Sequence, residues 1–92
     1  MAETSIQLTG GPGGDEASQE QDATNKMLGV TEANLKKVSD QQLSANQQAS
    51  ITQIRQFIEQ SRNALSEGDM QRAHILARKA KLLSEDLVKP PQ

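Results

Sequence analysis

Ala64-Leu65-Ser66-Glu67-Gly68-Asp69-Met70-Gln71-Arg72-Ala73 is the stretch on which the fold of this 92-residue chain turns. Glycine takes the left-handed backbone conformation that ends a helix without a steric cost, and aspartate caps the free amides that begin the next. Gly68-Asp69 therefore predicts one helix ending near residue 67, a reversal, and another starting near residue 70. A connection this short makes the two helices antiparallel neighbours.

Working upstream, Ser44 and Gln47 have the spacing of a capping box. Beyond them Ile51, Ile54, Ile58 and Leu65 fall on one helical face, flanked by Phe57 and Ala64, with Thr52, Gln56, Glu59 and Asn63 opposite. The predicted span of this second helix is 45–67. Downstream, a third helix over 70–88 presents Ala73, Leu76, Ala77, Ala80, Leu83 and Leu87 on its main face, and Pro90-Pro91 stops it. The expected core of the hairpin is Ile54, Ile58, Leu65, Ala73, Ala80 and Leu83. The third helix also carries a second, narrow apolar stripe, Ile75 and Leu82, beside Lys79 and Asp86. Two readings of that stripe stand open: a first helix covers it and closes a three-helix bundle, or another chain does.

Before the hairpin, Thr24, Leu28, Thr31, Leu35 and Val38 recur at steps of four and three residues, and Ser18 with Gln21 has capping-box spacing. They predict a first helix over 19–38, weakened by Gly29. Residues 1–18 mix polar and acidic residues around Gly10-Gly11-Pro12-Gly13-Gly14 and read as a flexible tail. The glycine tract is not a phosphate-binding loop, since Asp15-Glu16 follows where such a loop needs Lys-Ser/Thr. The fold expected is thus all-α: a small up-down three-helix bundle on an antiparallel hairpin, with the bundle over 19–89 and a Pro-rich end at 90–92.

Composition agrees with helices and bounds the core. Only 34% of residues are hydrophobic and Phe57 is the sole aromatic, so alanine and aliphatic side chains must fill the interior. A core that lean leads us to expect a domain that self-associates or takes much of its stability from a protein partner. Cysteine is absent, which removes disulfides, thiolate metal sites and thiol nucleophiles. The net charge of -2 is unevenly spread: the stretch up to Asp22 holds five acids and no base, leaving the rest at +3. No apolar run reaches the length of a membrane span, and Met1-Ala2-Glu3 opens neither a signal peptide nor a myristoylation site.

The stretch Ala64 to Ala73, with Ala80 and Leu83 beyond it, resembles the turn and second helix of a tetratricopeptide repeat. In that family a Gly-Asp turn precedes a small residue, here Ala73, where the helices approach most closely. Ala64 and Ala77 stand at the family's large aromatic positions and there is one copy of the unit, so the resemblance implies one hairpin and no peptide-binding groove. The longer run from Ile51 to Phe57 and on through Ala80 to Leu87 is similar to helical modules of small uncharacterised bacterial envelope proteins. That similarity implies a bacterial protein, exported or associated with the envelope, and no reaction.

No constellation of reactive groups emerges. His74 has Met70, Gln71, Ala77 and Arg78 as its same-face neighbours, which neither complete a metal site nor orient a general base, so it reads as a surface histidine. Glu59, Glu67, Asp69, Glu85 and Asp86 have helix duties, Asp69 as a cap and the others as partners for Arg55, Arg62, Lys81 and Lys89. The many glutamines, Gln53, Gln56 and Gln60 among them, read as helix surface. Catalytic, metal and cofactor sites are not expected. The expected function is a non-catalytic scaffold or assembly module making protein–protein contact through Ile75, Leu82, Lys79, Arg78 and Arg72. The alternative is a binder of anionic polymers or lipid headgroups through the basic third helix (Arg72, His74, Arg78, Lys79, Lys81), making peripheral membrane contact. Nucleic acid is the less favoured polymer, because no aromatic side chain stands ready to stack on bases.

Overall fold

The structure, a computed structural model, describes the backbone of residues 11–89 and the side chains of residues 18–89. Three helices account for nearly all of it: α1 (Gly11–Ser39), α2 (Ala45–Ser66) and α3 (Met70–Val88). α3 packs along both α1 and α2, which touch each other far less. The molecule measures 59 × 22 × 19 Å, so its cross-section is about two helix diameters.

The α2–α3 reversal has the hydrogen bonds that its residue types call for. Gly68 takes φ +81°, its amide donates to the Leu65 carbonyl at 3.1 Å, and the Asp69 amide donates to the Ala64 carbonyl at 2.9 Å. These two bonds satisfy carbonyls left free at the end of α2. Asp69 then turns its carboxylate to the start of α3, accepting from the Arg72 amide at 3.2 Å. At the other end of α2, Ser44 Oγ accepts from the Gln47 amide at 3.1 Å, while the Ser44 amide donates to Gln47 Oε1 at 2.8 Å. The capping box read from the sequence is therefore formed.

Small side chains form the buried edge of α3: Ala73, Ala77, Ala80 and Ser84 are each fully enclosed. Against that edge lie Ile54 and Ile58 from α2 and Leu28 and Leu35 from α1, all in one core. Alanine at these positions lets neighbouring backbones come close, and the hydroxyl of Ser61 on α2 shows how close by donating to the Ala73 carbonyl at 2.7 Å. The α1–α3 interface is more polar. Thr24, Thr31 and Asn34 are buried on α1, and Asn34 Nδ2 donates to Ser84 Oγ at 3.1 Å, which donates in turn to the Lys81 carbonyl at 2.8 Å. Thr31 returns its hydroxyl to the Met27 carbonyl at 2.7 Å, so its burial leaves no unmet donor.

One expectation changes and one open reading is decided. α1 begins at Gly11, not at residue 19, so Ser18 and Gln21 lie inside a helix and form no cap. The glycines each weaken a helix by about 1 kcal/mol, but extending an existing helix adds one hydrogen bond per residue fixed, and Pro12 sits in the first turn, where its missing N–H costs nothing. Of the expected tail, residues 1–10 lie outside the described residues, as does the Pro-rich end at 90–92. The open reading of the α3 stripe closes as well: α1 packs beside Ala77 and Ser84 and does not cover Ile75 and Leu82, which stay exposed.

Gly29 and Gly68 should respond oppositely to a side chain. Gly29 is exposed, and a Cβ there meets nothing within 4 Å, so Gly29→Ala should stabilise by about 0.5–1 kcal/mol. Gly68→Val forces a branched residue into positive φ and should destabilise by about 1–3 kcal/mol. Ala77→Leu, which overfills the shared core, should lose about 1–3 kcal/mol as well. Thermal or urea melts of the three variants check all three signs.

Candidate functional site

The outward side of α3 is the surface that the fold leaves unpartnered. With Ala73, Ala77, Ala80 and Ser84 turned inward, the 3.6-residue period places Ile75 and Leu82 almost diametrically opposite. They are 48% and 52% exposed, the two most exposed large apolar side chains of the described residues, ahead of Val30 on α1 at 42%. Seven residues separate them, two helical turns or about 10 Å along the axis. The stripe stops there, because the positions one heptad further out are Gly68 and Lys89.

Charge flanks the stripe unevenly. Exposed on α3 and its C-terminal cap are Arg72, Arg78, Lys79 and Lys89, against Asp86 alone. Asp86 is already engaged by Lys89 at 3.3 Å, and Glu85, further round the helix, pairs with Lys81 at 2.7 Å. Arg72 stands 3.8 Å from Glu67 across the turn. Among the described residues, Arg78 and Lys79 have no acidic partner. Lys79 Nζ lies over the Phe57 ring at 5.9 Å from its centroid, at the outer reach of a cation–π contact, and the residue stays exposed. The structure thus brings all five sequence-selected residues, Arg72, Ile75, Arg78, Lys79 and Leu82, onto one accessible face.

A groove between α1 and α2 was not foreseen from the sequence. It is open, about 410 Å³ in volume, with Leu35 and Ile58 among its lining residues and Glu32, Arg55, Glu59 and Arg62 around it. Arg62 Nη2 donates to Glu32 Oε2 at 2.6 Å, linking the two helices. No local pattern announces such a groove, because its walls belong to two helices whose residues are distant in sequence and are brought together mainly by packing on α3.

His74 also departs from its expected place. It is half-buried, and its Nδ1 is enclosed without a hydrogen-bond partner, as is Thr24 Oγ1 on α1. Among the described residues no group of three or more His, Cys, Asp or Glu side chains is arranged to hold a metal ion, and no helix is long and apolar enough to cross a membrane. No family model matches the chain, and no curated protein and no solved structure matches it.

Because Ile75 and Leu82 take no part in the core, replacing both by glutamate should leave the fold intact. The double variant should melt within about 0.5 kcal/mol of the parent, the range usual for surface changes. A much larger loss, measured by circular dichroism, would show that the stripe is structural.

Proposed function

We propose that this protein is a non-catalytic helical module that works by protein–protein contact, with the outward face of α3 as the contact surface. One observation carries the reading: Ile75 and Leu82 lie exposed in line on a rigid helix whose opposite side is fully engaged in the core. Leaving two large aliphatic side chains half exposed on one face forgoes about 1 kcal/mol of burial at each, roughly half the value for full burial, which a binding surface recovers on contact. The resemblance to a single tetratricopeptide hairpin supports the same reading, since such a hairpin is a unit built to pack against further helices.

The second reading, binding of an anionic polymer or lipid surface, draws on the four exposed cations at Arg72, Arg78, Lys79 and Lys89. Salt separates the two. Phosphate binding weakens steeply with ionic strength, whereas an apolar contact keeps most of its strength.

A photoreactive amino acid placed at position 75 or 82, in cells that make the protein, should yield protein adducts of discrete mass. The same probe at Val30 should not. Adducts equal at all three positions, or none at 75 and 82, would reject the outward face of α3 as the contact surface.

A further inference from the structure

Resting on that reading, we infer that the partner of the α3 face is an acidic amphipathic helix, with apolar residues one heptad apart and carboxylates on both sides of them. Length comes first. The stripe is two side chains long, Ile75 and Leu82, and is bounded by Gly68 and Lys89 at the next heptad positions. An apolar row of period seven is what a second helix lying along α3 presents, and two turns of it cover the stripe.

Charge chooses the sign of the partner. Arg78 and Lys79 lie between Ile75 and Leu82 in sequence, one to each side of the stripe, and among the described residues neither meets an acid. A helix docked on the stripe therefore brings its own flanking residues beside two cations, and carboxylates there form charge-assisted contacts while lysines are repelled.

The same two cations argue against a second copy of this chain. An antiparallel pairing about a two-fold axis sets Ile75 against Leu82 of the other copy and the Arg78–Lys79 pair against its own image. A parallel pairing also sets like charge on like charge. Juxtaposed like charges cost several kcal/mol, more than two half-exposed aliphatic side chains return. A lipid surface suits the charge but not the length, since two side chains that are already half-covered offer little to insert.

The test uses the full chain and two labelled helical peptides. Both carry leucine at every seventh residue and alanine elsewhere on that face. One has glutamate beside the leucines and the other has lysine. By fluorescence anisotropy the acidic peptide should bind at least about tenfold more tightly than the basic one, an expectation set by like-charge exclusion. Ile75→Ser with Leu82→Ser should weaken it by about tenfold, and Arg78→Gln with Lys79→Gln should weaken it several-fold and flatten its salt dependence. Circular dichroism confirms that each variant is folded. The charge variant tests the inference independently should the serine variant unfold.

Equal binding of the two peptides, or none, overturns the inference. Tighter binding to phosphatidylserine vesicles than to the acidic peptide overturns it in favour of a membrane surface. Sedimentation at twice 10.0 kDa that reverts to the monomer in the serine variant overturns it in favour of a second copy. Peptide failure alongside position-75 adducts rejects only the acidic helix, whereas missing adducts reject the contact surface itself.

Discussion

The architecture depends on the small buried edge of α3. Ala73, Ala77, Ala80 and Ser84 are the only α3 side chains enclosed completely, and none is larger than serine or alanine. A wide helix face of leucines would hold its neighbours at a distance and need a broad core between them. Here the neighbours come in close, and the isoleucines of α2 and leucines of α1 reach across the same alanines into one core. Dispersion between well-fitted surfaces offsets the shortage of bulky side chains, and the chain forms a compact interior with a single aromatic residue.

That constraint has a polar consequence. Helices this close bring backbone and side-chain polar groups within reach, and the structure uses them. Ser61 donates to the Ala73 carbonyl, and Asn34, Ser84 and the Lys81 carbonyl form a relay between α1 and α3. Each such bond contributes about 1 kcal/mol, and each also fixes register, since a slide by one residue would strand a buried donor. The α2–α3 pair is held by its turn and its isoleucines, while α1 relies on a mixture of leucine, valine, threonine and asparagine.

The outward face of α3 follows from the same geometry. A helix that buries a narrow edge and leans on a neighbour at either side keeps about a third of its circumference for solvent. Ile75 and Leu82 fall on that third, with Arg78 and Lys79 beside them. Core and candidate contact surface are two sides of one helix, so a change in register that exposed Ala77 would also withdraw the stripe.

Much of this was legible in the sequence because it is local. Gly68-Asp69 required a left-handed residue followed by a cap, Ser44 and Gln47 required a capping box, and the spacing of Ile54, Ile58, Ala73 and Ala80 named the facing sides of a hairpin. The same periodicity separated Ile75 and Leu82 from the core face of their own helix. Three things were not local. Periodicity assigns residues to faces but does not say which neighbour covers a face, so only the packing of α1 beside Ala77 and Ser84 left Ile75 and Leu82 exposed. The capping-box spacing of Ser18 and Gln21 and the aperiodic stretch before them placed the start of α1 near residue 19, whereas extension from a docked helix carried it to Gly11. The half-burial of His74, the groove beside Leu35 and Ile58, and the Asn34–Ser84 bond join residues distant in sequence. The sequence by itself determined three helices and one obligatory reversal, because caps and turns are decided within a few bonds. Which surfaces remained free was decided only by the tertiary structure, because exposure depends on how three helices divide the sides of α3.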